Sequence, residues 1–193
     1  MDKTRIASLI ERIGNLLRSE ERALGAESGL QSVHVQILSY LSQCNRYSNT
    51  PAGVTEFIGS TKGTTSQSIN ILDKKGFIKK SLDDKDGRVV RLYLTEKGEE
   101  FVKNEFPPTD FCATLDMFSA KDSECLSQLL TKLLVQLQLK NNSKLFGVCN
   151  TCNHFKKFGL GDTHQCGLTL EPLSEKESFL ICREHEQSIN KTV

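Results

Sequence analysis

The stretch at residues 72–98, LDKKGFIKKSLDDKDGRVVRLYLTEKG, decides the fold. Leu72 to Lys75 reads as the last turn of a helix, and Gly76 as the residue that stops it. Two strands follow, about 77–82 and 88–94, around the turn DDKDG. The second alternates Val90, Leu92 and Leu94 against Val89, Arg91 and Tyr93, the period-two pattern of a half-buried strand. Thr95 then caps a helix carrying Phe101 and Val102. Helix, hairpin and helix, preceded by a helix face of Ser, Thr, Gln and Asn, spell a winged helix-turn-helix. Such a unit holds one helix in the major groove of duplex DNA while the hairpin touches the backbone beside it.

Working outward, residues 3–24 place Ile6, Leu9, Ile10, Ile13, Leu16 and Leu17 on one helical stripe. A second helix spans about 31–43, with Val33, Ile37, Leu38 and Leu41 inward. His34 reads as a packing or surface histidine, and Cys44 as a small buried hydrophobe. Thr50-Pro51 looks like an N-cap followed by proline at the first helical position, opening a helix to about Ile58 that buries Val54, Phe57 and Ile58. Gly59–Gly63 reads as the turn before a recognition helix over about 64–75. Pro107 and Pro108 interrupt the helix after the hairpin. From Ser119 to about Lys140, Leu126, Leu129, Leu130, Leu133, Leu134 and Leu137 make a second broad apolar stripe, with Cys125 expected in the core. A stripe this rich needs a partner surface. The reading favoured is a homodimer interface shared with the N-terminal helix, because palindromic half-sites call for two-fold symmetry.

On the recognition helix the candidate DNA contacts are Thr64, Thr65, Ser66, Gln67, Ser68 and Asn70, with Lys62 just before it. Hydroxyls at a helix N-terminus donate to phosphates, and Gln or Asn pairs with adenine edges. In the hairpin, Arg88 follows the turn Asp86-Gly87. An arginine there can enter the minor groove, with Asp86 orienting it through a charge-assisted hydrogen bond. Eight basic residues face four acids between Lys62 and Arg91, a local excess of +4 in a chain of net charge +1. Any nucleic-acid surface is therefore local to this region.

The same residues carry a resemblance. Leu72–Ile78, Asp83–Arg88 and Leu94–Gly98 resemble three successive signatures of the MarR family of bacterial transcription factors: the end of the recognition helix, the acidic-then-arginine wing and the opening of the next helix. The preceding GSTKGTTSQSINIL resembles that family's turn and recognition helix. The likeness covers about residues 5–140. Gly87 stands where the family usually has a second arginine or similar residue, which leaves Arg88 as the main wing candidate. The resemblance implies an obligate homodimer on a pseudopalindromic operator, most often a repressor, and often a small-molecule or redox effector that releases DNA.

Past residue 144 the composition changes, and the chain divides into 1–144, the winged-helix and dimerisation domain, and 145–193, a Cys-rich lobe. Cys149-Asn-Thr-Cys152, Cys166 and Cys182 make a candidate four-cysteine zinc site, since a CxxC turn supplies two thiolates at tetrahedral spacing. His164 and His185 are alternate ligands, and an iron–sulfur cluster is the alternative cofactor. A structural zinc contributes on the order of 10 kcal/mol to folding such a lobe. The expected fold class is therefore mainly α with a small β-wing (α+β): a winged helix-turn-helix with dimerisation helices and a small metal-stabilised lobe.

No apolar run approaches the roughly 20 residues that span a bilayer, and the charged start MDKTRIASLIERIGNLLRSEE has no signal-peptide core. A cytoplasmic protein without membrane contact is expected. In that compartment seven cysteines read as ligands and buried thiols, not as disulfides. No phosphate loop, HExxH or defensible Ser-His-Asp arrangement argues for an enzyme. The alternative to a DNA-binding regulator is a winged-helix interaction or redox/metal-sensor module without specific operator binding.

Overall fold

The computed structural model describes residues 2–141 and 143–187. Seven helices and a hairpin come first: α1 (Lys3–Ala26), α2 (Ser32–Gln43), α3 (Pro51–Ile58), α4 (Lys62–Lys74), β1 (Ile78–Leu82), β2 (Val90–Leu94), α5 (Glu96–Glu105), α6 (Thr109–Leu115) and α7 (Ala120–Lys140). The C-terminal lobe adds β3 (Gly147–Val148), a 3-10 turn (Cys149–Thr151), β4 (Phe155–Leu160), β5 (Thr163–Cys166), β6 (Pro172–Leu173), α8 (Glu175–Ser178) and β7 (Ile181–Cys182). The fold is mainly helical with a small β-wing, as the sequence predicts. Among the described residues no helix is long and apolar enough to cross a membrane.

One core serves the winged-helix unit. Val35, Ile37, Leu38 and Tyr40 of α2 meet Val54 of α3, Ile69 and Leu72 of α4, Phe77, Leu92 and Phe101. Each comes from the inward stripe of its element, and a core this closely packed registers the loss of a single methylene. The caps fall where the sequence puts them. The Thr50 hydroxyl accepts from Gly53 N at 3.1 Å, with Pro51 at the first helical position. Thr95 accepts from Gly98 N at 3.2 Å and donates to Gly76 O at 2.6 Å. That second bond ties the end of the hairpin to its beginning.

Two glycines are required here. Gly76 ends α4 with φ of +74°, a left-handed conformation that costs other residues energy. At Gly98 a Cβ would stand 2.1 Å from the Phe77 carbonyl oxygen, so α5 can lie this close to the base of β1 only without a side chain.

Several expectations need correction. Gly63 lies inside α4, which starts at Lys62 because Thr61 caps it by accepting from Thr64 N. A helix not foreseen, α6, follows the Pro107-Pro108 break. Phe57 is 42% exposed; it packs between Tyr40 at the edge of the core and Phe146 instead of being buried. Cys125 is exposed, because α7 buries none of its residues within this chain.

The lobe is docked on the winged helix. Asn45 N donates to Ile181 O at 2.8 Å, and Arg183 N to the Ser48 hydroxyl at 2.8 Å. Arg183 also grips the Glu56 carboxylate of α3 with two bonds of 2.6 and 2.7 Å, which holds that carboxyl below its usual range.

Candidate nucleic-acid interface and cysteine centre

Helix α4 turns two of its seven early polar positions inward. Thr65 and Ser68 are 2% and 5% exposed and cannot reach a duplex, which corrects their assignment as contacts. They lie on the same stripe as Ile69 and Leu72, so the helix geometry takes them into the core despite their hydroxyls. The Thr65 Oγ1 has no hydrogen-bond partner among the described residues. Lys62, Thr64, Ser66, Gln67 and Asn70 remain exposed. Thr64 Oγ1 lies 3.0 Å from the Thr61 hydroxyl at the helix N-terminus. The Asn70 side-chain oxygen accepts from Lys80 Nζ at 2.6 Å, and Lys80 also pairs with Asp73 at 3.1 Å. Strand β1 is thereby tied to the outer face of α4.

The wing is a regular antiparallel pair, with Ile78 opposite Leu94 and Leu82 opposite Val90. Its loop is organised by two carboxylates. Asp86 accepts from Arg88 Nε at 3.0 Å and Nη2 at 3.1 Å, while the Arg88 side chain is 90% exposed. The guanidinium is thus exposed and paired with Asp86, whose carboxyl is lowered in pKa by the arginine's hydrogen bonds. Asp83 accepts from the backbone N–H of Lys85 and of Asp86, and from Arg91 Nε at 2.6 Å. These bonds, that of Arg91 foremost, hold its carboxyl below the usual range.

Arg91 is turned toward the protein. Its Nη1 donates to the Tyr47 carbonyl at 3.0 Å and to the Asn49 side chain at 3.3 Å. It therefore anchors the wing to the loop after α2. The sequence marks Arg91 only as one more basic residue of the hairpin. The available signal is its position in the Val89–Tyr93 alternation, which puts it on one face of β2.

The four cysteines converge on one place. Cys149, Cys152, Cys166 and Cys182 all line a cavity of about 20 Å³ beside Asn45 and His154, room for one water-sized particle. Cys149 and Cys152 flank a 3-10 turn closed by Cys152 N to Cys149 O at 3.0 Å. Cys166 ends β5, and Cys182 lies on β7 opposite Gly147. Two sulfurs accept N–H hydrogen bonds, Cys149 from Asn45 Nδ2 and Cys152 from Glu186 N, both at 3.4 Å. Among the described residues no group of three or more Cys, His, Asp or Glu stands in ion-holding geometry. The neighbouring Cys182 raises the Cys149 thiol, and Cys149 lowers that of Cys182.

The alternate histidines lie elsewhere. His164 is buried between Phe155 and Phe158. Its Nδ1 accepts from Phe158 N and its Nε2 meets Glu175 at 2.7 Å, so both nitrogens are engaged. His185 packs behind Gly147, with Nε2 on the Thr151 hydroxyl at 2.9 Å. Neither lines the cysteine cavity.

This geometry has known counterparts. Residues 23–104 match the family model described as transcriptional regulator SarA/Rot. The transcriptional repressor MprA of Escherichia coli K12 is 29% identical over 124 residues, covering 63% of this chain and 70% of that protein. A MarR transcriptional regulator from Methanosarcina mazei Go1 superposes with a TM-score of 0.59 at 20% identity, over 72% of this chain and 99% of its own. MepR of S. aureus in a DNA complex superposes with a TM-score of 0.55 at 20% identity, over 66% of this chain and 95% of its own. Each likeness leaves a substantial part of this chain uncovered.

Proposed function

We propose that the chain is a winged-helix transcriptional regulator of the MarR type, a sequence-specific repressor that binds a pseudopalindromic operator as a homodimer. The observation that carries this reading is the pairing of an exposed polar N-terminal half of α4 with a wing whose Arg88 is prepared for an anion. An arginine already fixed by Asp86 loses less side-chain entropy when it meets a phosphate or the minor groove. Gln67 and Ser66 then face base edges, and Lys62 and Thr64 the backbone.

The dimer partner is a second copy of the chain. Leu129, Leu130, Leu133, Leu134 and Leu137 of α7 are exposed, as are Ile6, Leu9, Ile10, Ile13 and Leu16 of α1. Among the described residues helix α7 packs extensively against no other element of its own chain. Patches of this size on a monomer mark an association surface, and two copies related by a two-fold axis bury the same stripes against each other. That axis also sets the half-site spacing.

We further propose that Cys149, Cys152, Cys166 and Cys182 hold one zinc ion. The shared small cavity and the N–H donors to sulfur support this; such donors accompany thiolate ligands. The metal would supply the cross-link that a lobe with few buried apolar residues lacks. Anaerobically purified protein is expected to be colourless with about one zinc per chain; a brown chromophore would contradict zinc.

The DNA reading is tested with Arg88→Ala. On a selected duplex its binding weakens across all sequences, and the slope of log affinity against log salt falls by about one. Gln67→Ala instead relaxes sequence preference. Unchanged behaviour of both variants would contradict the contact assignment.

A further inference from the structure

The lobe touches more than the base of the winged helix; it holds the wing. Glu171, just before β6, accepts from Lys85 in the wing loop and from the Tyr47 hydroxyl at 2.5 Å. Arg46 bridges the same region, donating to Glu171 at 3.2 Å, to the Pro172 carbonyl at 2.8 Å and to Glu177 at 2.8 Å. On the other side of that loop, the Tyr47 carbonyl and Asn49 receive Arg91, which is bound to Asp83 of the wing loop. The first residue of the segment, Asn45, donates to Cys149. Residues 45–49 are therefore a platform with the cysteine centre on one side and the wing on the other.

A two-stranded hairpin with no third strand is marginal on its own. Its strands rest on α4 through Lys80 and on the core through Ile78 and Leu92; the loop end has two further supports, Arg91 on the platform and Lys85 on Glu171, and both lead back to the lobe. We propose that the cysteine lobe is the brace of the wing, so that Glu171 and the 45–49 platform keep the hairpin in its DNA-binding position and loss of the metal weakens operator binding by releasing it. This rests on the DNA-binding and zinc readings above and adds the means by which the second acts on the first. Neither Glu171 nor Asn45 is itself a DNA contact or a metal ligand.

Charge makes the idea separable from plain electrostatics. Glu171 neutralises Lys85, so its removal leaves one more free cation beside the duplex. Electrostatics alone then strengthens binding, whereas loss of a brace weakens it.

The test uses the full-length chain, a duplex that it selects from random DNA, and hydrogen exchange read by mass spectrometry. In Glu171→Gln, and in wild type treated with a zinc chelator, amides of residues 83–90 are expected to exchange several-fold faster while those of α4 are unchanged. Operator affinity falls about fivefold, zinc content of Glu171→Gln stays at the wild-type level, and chelation adds little to that variant. Wing exchange that stays at the wild-type rate in Glu171→Gln overturns the brace, and so does tighter operator binding. The failures are distinct. A wild-type chain that selects no duplex sinks the DNA reading, and one that holds no zinc sinks the metal reading. Exchange in the wing of Glu171→Gln still decides the brace in either case.

Discussion

The Asn45 side-chain amide donates to the Cys149 sulfur across 3.4 Å, joining residues 104 positions apart in the chain. Asn45 is 2% exposed, and its oxygen accepts from Tyr47 N at 3.1 Å and from the Ser48 hydroxyl at 2.7 Å. Asn45→Ala removes the acceptor of the Tyr47 N–H and of the buried Ser48 hydroxyl proton, and the donor to Cys149. Its expected cost is about 2 kcal/mol, read as a lower urea midpoint, together with weaker zinc retention. A midpoint equal to wild type would show that the link between loop and lobe is not structural.

Thr65 offers the opposite sign. Its hydroxyl is buried without a partner among the described residues, so Thr65→Val keeps the shape and removes the unpaired polar atom. A gain of about 1 kcal/mol is expected, with operator affinity unchanged. Loss of affinity in this variant would restore Thr65 as a contact and contradict the orientation of α4.

His34 predicts the acid limb of stability. Burial first, and the Lys75 charge second, push its pKa below the ordinary value near 6.5. Its Nδ1 accepts from Gln31 N at 2.9 Å, which requires the neutral ring. A group whose folded pKa is depressed in this way favours the unfolded chain once the solvent can protonate it there. Stability is therefore expected to be full above about pH 6.5 and to decline as the pH falls from that value toward the folded one. Urea midpoints at neutral pH and near pH 5 check this: His34→Gln shows a shallower decline than wild type. Equal declines would remove His34 as the cause.

The exposed stripe on α7 predicts the oligomeric state. Leu133→Glu places a charge at the centre of a surface that is apolar in both copies, and desolvating it is costly. Sedimentation at micromolar concentration is expected to show a dimer for wild type and a monomer for the variant, with operator binding lost alongside. A wild-type chain that sediments as a monomer would contradict the dimer proposal.

Most of the winged helix was legible in the sequence because its signals are local. Thr50-Pro51, Gly76 and Thr95 each fix an element boundary through their own backbone preference. The alternation around Leu92 gives a strand directly, and Asp86-Gly87-Arg88 gives a turn with its own hydrogen bonds. Thr65, Ser68 and Cys125 were misplaced because burial depends on what lies opposite a residue, and that is tertiary information. The hydroxyls of Thr65 and Ser68 suggested solvent, but their helical phase took them inward. Cys125 suggests core, but α7 buries none of its residues among the described residues. The cysteine spacing named four side chains that do share a cavity. It gave no hint of Asn45, Tyr47 or Glu171, because their roles arise from docking between segments more than a hundred residues apart.

The most direct test of the account is selection of duplexes from random DNA by the purified full-length chain at two salt concentrations. The account predicts enrichment of one pseudopalindromic consensus, bound by two chains, with affinity that falls steeply as salt rises. Recovery of no consensus, or of duplexes bound no more tightly than random competitor, would contradict it.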